Sequence, residues 1–139
     1  MKRYLRISTL LISLLLICGL SGCSNGGGGG DLPPLPIARY SYTGTSSSDS
    51  TKQYTNILYF KTQEVYTLCQ TWGDQDEIEL ENGTFTGDPT VDGSVTITKK
   101  EGYDSTGSWV ELLEPTGEKV TISGQEFNLR GKTYKRVVF

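Results

Sequence analysis

Beyond residue 36 many short segments alternate apolar and polar residues, and no segment carries a convincing i, i+3, i+4, i+7 stripe over eleven residues. A period of two puts alternate side chains on opposite faces of a pleated strand, and Thr, Tyr, Val and Ile, which are abundant here, fit that surface. The pattern predicts strands at 38–43, 54–61, 64–72, 77–80, 83–86, 94–99, 108–113, 119–123, 126–130 and 132–138. The cleanest is 94–99, where Val95 and Ile97 alternate with Ser94, Thr96 and Thr98. In 77–81 the same rule sends Glu77, Glu79 and Glu81 to water and Ile78 and Leu80 to a core. It also sends Val120, Ile122, Phe127 and Leu129 inward.

The segments between agree with hairpins. Asn82-Gly83, Asp92-Gly93 and Ser123-Gly124 supply residues that tolerate positive φ, and 60–64 joins two strands tightly. Asp88-Pro89 interrupts the ladder. Residues 43–53 and 102–107 read as the two long loops, the first mobile, the second carrying Tyr103. Strands at this spacing with turn residues between them build a sandwich or a barrel. A short-looped antiparallel meander favours the barrel, because closure removes exposed edges.

The N-terminus has a different character. Lys2, Arg3 and Arg6 precede a mostly apolar run over 7–20. A charged n-region and an h-region of this length make a signal peptide, expected as a signal helix, and the run is shorter than the ~20 residues of a membrane span. An uncleaved anchor helix is the lesser alternative. Leu20-Ser21-Gly22-Cys23 resembles the lipobox of bacterial lipoproteins. The resemblance implies lipid (palmitate among the acyl chains) on Cys23, signal cleavage between Gly22 and Cys23, and anchoring in the bacterial cell envelope. Ser24 stands where an Asp would retain such a protein at the inner membrane. In a cell with two membranes the resemblance therefore implies the cell outer membrane, with surface exposure as a further option. Residues 23–36 follow as the lipidated Cys and a disordered Gly/Pro-rich tether. Five glycines give it flexibility, Pro33, Pro34 and Pro36 stiffen its end, and stretched out it reaches roughly 45 Å. The Pro33–Pro36 spacing suits an SH3 ligand, but a spacer fits this setting better.

Residues 37–139 are then a single all-β domain. Cleavage removes Lys2, Arg3 and Arg6 from 13 basic residues, leaving ten against 16 acids, a balance of −6. That argues against nucleic acid, which needs a basic stripe. The acids cluster at Asp74, Asp76, Glu77, Glu79 and Glu81, and the bases at Arg130, Lys132, Lys135 and Arg136. Both clusters read as solvated faces. Of three cysteines, Cys18 leaves with the signal and Cys23 takes lipid, so Cys69 has no intrachain partner. It reads either as a small core hydrophobe or as a thiol pairing between chains.

The chain contains no histidine, so Ser-His and Cys-His nucleophiles are excluded. Carboxylates with one thiol make a poor zinc site. The loop opening at Asp88 places Lys99 where a calcium-binding EF-hand needs Glu. A glycosidase pair among Glu77, Glu79 and Glu81 is the weaker reading of an ordinary exposed face. The strands lack the continuous lipid-facing alternation of a transmembrane barrel. No enzyme, cofactor or metal is expected.

From Glu64 to Phe139 the chain is similar to small lipocalin-like (calycin-type) domains of bacterial lipoproteins. The segments Asn82-Gly83-Thr84-Phe85-Thr86-Gly87-Asp88, Asp92 to Ile97 and Gly131-Lys132-Thr133-Tyr134-Lys135-Arg136 carry the likeness. It implies a small antiparallel β-barrel, although the Gly-x-Trp signature of true lipocalins is absent near residue 37. An immunoglobulin-like β-sandwich is the alternative, without its Cys…Trp…Cys spacing. Trp72, beside Gly73-Asp74, and Tyr103 are the candidate partner contacts. The expected function is a lipid-anchored, non-catalytic binding module for a protein, a glycan or a small apolar ligand. The alternative is a structural or hydrolase-inhibitor envelope lipoprotein.

Overall fold

The period-two pattern becomes nine strands in a computed structural model that describes residues 32–138. The expected signal peptide, Cys23 and the tether up to residue 31 lie outside the described residues. The strands are β1 (Pro36–Thr45), β2 (Gln53–Lys61), β3 (Val65–Trp72), β4 (Ile78–Thr86), β5 (Gly93–Tyr103), β6 (Trp109–Glu111), β7 (Gly117–Ile122), β8 (Glu126–Leu129) and β9 (Lys132–Arg136). They form one antiparallel sheet in the order β6-β5-β4-β3-β2-β1-β9-β8. β7 pairs with β5 over Gly93–Thr98, beyond the stretch that holds β6, so β6 and β7 share one edge.

The sheet curls into a half-barrel around its own core. Tyr40, Leu58, Phe60, Tyr66, Leu68, Phe85, Val95, Ile97, Val120, Ile122, Phe127, Leu129 and Tyr134 form one buried cluster with Ala38, drawn from every strand but β6. Phe127 stacks on Tyr134 at 5.5 Å, and the edge-to-face pairs Tyr40–Phe127 and Phe60–Phe85 each lie at 4.9 Å. Such pairs add about 0.5–1.5 kcal/mol each beyond their area burial. The all-β expectation and its meander or barrel form hold.

One end of the half-barrel is plugged. The segment between β4 and β5 folds across it, with Pro89 buried inside. Tyr40 Oη donates to the Pro89 carbonyl at 2.7 Å and Arg136 Nη1 donates to that of Thr90. Asp92 Oδ1 accepts from the Gly124 amide at 3.1 Å, so the same segment also holds the β7–β8 turn. That turn spans the gap between the two ends of the sheet and carries the Ser123–Glu126 bridge. β1 starts at this plugged end, where the Leu35 carbonyl accepts from the Thr62 amide at 2.8 Å.

Several expectations need correction. The strands read at 77–80 and 83–86 are a single strand, β4, and Asn82-Gly83 is no turn. It is a β-bulge, where the ladder to β5 slips by one residue and leaves Lys100 unpaired. Gly83 is required there because a Cβ would lie 2.0 Å from the Thr98 carbonyl oxygen. A second bulge, at Leu80, shifts the register between β3 and β4. Alternation counted across it fails: Ile78 is 51 % exposed and Glu81 only 4 %. The loop read at 43–53 shrinks to 46–52, because β1 and β2 pair out to Thr45↔Gln53. Tyr103 ends β5 rather than lying in a loop, and pairs with Trp109. Cys69 is buried but stands outside the core cluster, on the opposite face of β3 from Leu68.

Candidate functional site

The two corrected bulges matter because of what they leave at the other, open end of the half-barrel. The strands β1 to β3 reach it with Tyr42, Tyr54, Asn56, Gln70 and Trp72 on the inner face, the face of Leu58 and Leu68. β4 and β5 bring Glu81 and Lys99. The β8–β9 hairpin brings Leu129, Arg130, Lys132 and Tyr134. A cavity of about 290 Å³ lies among Asn56, Gln70, Glu81, Lys99, Arg130 and Lys132, with Tyr103 and Tyr134 also lining it.

Glu81 anchors one wall. Arg130 clamps it with both terminal nitrogens, Nη1 to Oε2 at 2.9 Å and Nη2 to Oε1 at 3.1 Å. Tyr66 Oη donates to Oε1 at 3.0 Å, and Lys99 Nζ stands 3.6 Å from Oε2. Both carboxylate oxygens are thus occupied, as a buried charge requires. Hydrogen bonds to Glu81 raise the already high pKa of the Arg130 guanidinium, against the effect of burial. Burial raises that of the Tyr66 hydroxyl, and the Glu81 charge raises it further. Arg130 and Tyr66 therefore both stay protonated at neutral pH.

The local backbone explains how Arg130 gets there. It sits at φ 52° and Gly131 at φ 78°, the two positive-φ centres of a tight β8–β9 hairpin. Asn or Gly is the ordinary occupant of the first position. Gln63, Glu64 and Gln125 adopt the same backbone in other turns of the domain, so the conformation belongs to the turn. Arg130 Nε also donates to Glu118 Oε2 at 3.0 Å, fixing the side chain from β7.

The floor is a relay of amides. Trp72 Nε1 donates to Gln70 Oε1 at 3.0 Å, Gln70 Nε2 to Asn56 Oδ1 at 3.0 Å, and Asn56 Nδ2 to Tyr134 Oη at 3.3 Å. Asn56 and Tyr134 are buried. From Tyr134, which lines the cavity, an aromatic row runs on behind the lining. Tyr134, Tyr42, Tyr54 and Trp72 follow one another at centroid spacings of 6.0, 6.2 and 5.2 Å. Lys132 Nζ sits over two of these rings, 5.7 Å from the centroid of Tyr42 and 5.6 Å from that of Tyr54.

A wider hollow of about 600 Å³ lies on the far side of Trp72, among Ser46, Ser48, Thr51, Lys52, Gln53, Gly73 and Gln75. Its lining is loop hydroxyls and amides, with no buried charge. The volume is larger, but the smaller cavity has the fixed, buried polar groups that orient a ligand.

A scan of protein-family models gives no match, and neither do searches of curated proteins and of solved structures.

The two candidate contacts do not meet in one site. Trp72 is half-buried, packed on Tyr54 and hydrogen-bonded to Gln70, so it stands between the two hollows. Tyr103 is 44 % exposed, stacks edge-on against Trp109 at 5.2 Å and reaches the smaller cavity. Cys23 lies outside the described residues. Sequence reasoning missed Asn56, Gln70, Lys99 and Tyr134. It placed Glu81, Arg130 and Lys132 on solvated faces, whereas Glu81 and Arg130 join the two charge clusters in one ion pair. The Arg130-Gly131 dipeptide between two alternating segments was the available cue.

Among the described residues, no group of three or more His, Cys, Asp or Glu side chains could hold a metal ion. Burial pushes the Cys69 thiol up to about 11, with Glu77 and Glu79 adding to it. At neutral pH it is therefore a thiol rather than a thiolate nucleophile.

Proposed function

We propose that this chain is a lipid-anchored lipoprotein of the bacterial cell envelope, and that its β domain is a non-catalytic binding module whose seat is the open end of the half-barrel. The observation that carries the binding reading is the 290 Å³ cavity, where buried Asn56, Glu81 and Tyr134 and the half-buried or exposed Gln70, Lys99, Arg130 and Lys132 share the lining with Leu68, Leu80 and Leu129. A half-barrel that served only as a scaffold would gain more from an apolar interior at both ends. The lipocalin-like resemblance points to the same use of a barrel mouth, with a mixed polar and apolar lining here.

The anchor is tested with the full chain expressed with labelled palmitate. The wild type should carry label and fractionate with membranes. Cys23→Ser should carry none and stay as precursor or be released. Label retained in that variant would show that Cys23 is not the acylated residue. The seat is tested by melting the purified intact protein in detergent against small sugars, sugar acids and amino sugars. At least one should raise the melting temperature saturably, since a ligand that binds only the folded state stabilises it. Complete indifference across that panel counts against a small-molecule seat.

A further inference from the structure

The charge inside the cavity differs in sign from the charge of the domain. Across residues 32–138 ten basic side chains face fifteen acidic ones. Among the residues that line the cavity the charged groups are Lys99, Arg130 and Lys132 against Glu81 alone. An acidic domain has thus gathered three cations around one small hollow.

The hydrogen-bond inventory points the same way. Glu81 is the one carboxylate in the lining, and its oxygens already accept from Tyr66 and twice from Arg130, with Lys99 alongside. It has little left to offer a ligand. The remaining capacity is of donors. Tyr134 Oη accepts from Asn56 and donates to no acceptor among the described residues. Lys132 has no carboxylate within ion-pair distance among the described residues. The Tyr42 and Tyr54 rings hold its ammonium instead. Aromatic faces fix a cation without neutralising it, so the charge remains available. Gly102 leaves room for the same purpose on the facing wall: a Cβ there would lie 2.5 Å from Lys99 Cε, so the lysine stem lies folded over that glycine.

Building on the binding reading above, we infer that the cavity takes a small organic anion of about monosaccharide size, its acidic group held by Lys132 and Lys99 and oriented by the Tyr134 hydroxyl. The 290 Å³ volume sits at the lower end of the ~300–1,000 Å³ of small-molecule sites, which suits one ring rather than a chain. The Arg130–Glu81 pair is the rigid wall of this seat, and the Asn56–Gln70 amides meet the ligand's neutral hydroxyls. The Gln70–Trp72 hydrogen bond couples the floor to an indole, which makes Trp72 a reporter of occupancy.

The test is a fluorescence titration of the intact protein in detergent. It uses a Trp109→Phe background, so that Trp72 is the single indole of the two in the chain. The probes share one ring and differ in charge: glucose, glucosamine, glucuronate and glucose 6-phosphate. Glucuronate or glucose 6-phosphate should perturb Trp72 saturably and at least tenfold more tightly than glucose, with glucosamine weakest. Raising the salt should weaken the acids alone. Lys132→Met should lower the acid's affinity about tenfold and leave that of glucose unchanged, and Lys132→Arg should restore most of it. Equal affinity for glucose and the acids, or an acid affinity indifferent to Lys132→Met, overturns the anion assignment while leaving the open end as a seat. No perturbation by any of the four overturns both.

Discussion

Arg130 and Glu81 are joined by two hydrogen bonds, yet the two side chains are placed very differently. The Glu81 side chain is 6 % exposed and that of Arg130 42 %. If Arg130 is removed, Glu81 remains a buried anion with only Tyr66 and Lys99 to hold it. If Glu81 loses its charge, Arg130 can turn into solvent. Breaking a fully buried pair costs about 3–5 kcal/mol, and the half-exposed partner reduces that figure. Arg130→Ala should therefore destabilise by about 2 kcal/mol and Glu81→Gln by about half as much. Because the two share one interaction, the double variant should cost less than the sum. Urea denaturation of the four proteins measures both the order and the shortfall. An equal loss in the two single variants would mean that burial does not set the asymmetry.

Two glycines show, at the scale of the element, why strands here end or bend where they do. At Gly83 the obstacle is backbone, since a Cβ would press on the Thr98 carbonyl of β5 and the Tyr66 ring. At Gly131 there is open space but a φ of 78°. Ala at position 83 forces β4 and β5 apart at the bulge, and should cost about 3 kcal/mol, the upper end for overpacking. Ala at 131 meets only the left-handed backbone penalty of about 1 kcal/mol. The first should also weaken amide protection along β4 and β5 and displace Glu81, whereas the second should leave exchange in those strands unchanged. Comparable hydrogen exchange in the two variants would contradict the bulge as the origin of the register. The bulges also explain why this part of the sheet was illegible in the sequence. A bulge inserts one residue into a period of two, and nothing in Ile78-Glu79-Leu80-Glu81 announces it. The hairpins at Gly124 and Gly131 were legible or nearly so, because turn chemistry is local.

For the molecule as a whole, protonation gives a stability limit on the alkaline side. Burial raises the pKa of Tyr40, Tyr66 and Tyr134 above the ordinary 10.0, and that of Cys69 from 9.0 to about 11. In each case the unfolded chain releases its proton first. The stabilisation is complete below the unfolded value and is lost as pH rises through the folded one. Melting temperature should hold from neutral pH to about 9 and then fall, first through Cys69 and above 10 through the tyrosines. Cys69→Ala should remove the earlier phase only. A melting temperature that is flat to pH 11 would show that these groups are accessible. On the acid side three exposed turns contribute. Thr51, Thr90 and Thr106 donate to Asp49, Asp88 and Asp104, holding those carboxyls below the usual range. That support is present above the ordinary carboxyl pKa and disappears as pH falls through the lowered values.

The sequence by itself determined the all-β character, most strand positions and the apolar set that fills the plugged end. These follow from a period-two pattern and from turn residues, both readable within a few positions of the chain. Val95 and Ile97, and Phe127 and Leu129, are inward as alternation requires. Only the tertiary structure decided that Glu81 is buried, that the acidic and basic clusters meet in one ion pair, and that Lys132 rests on rings from β1 and β2. Glu81 and Arg130 are 49 positions apart. Which charge meets which is settled by sheet curvature and by two one-residue bulges, and neither is encoded in any local stretch of side chains.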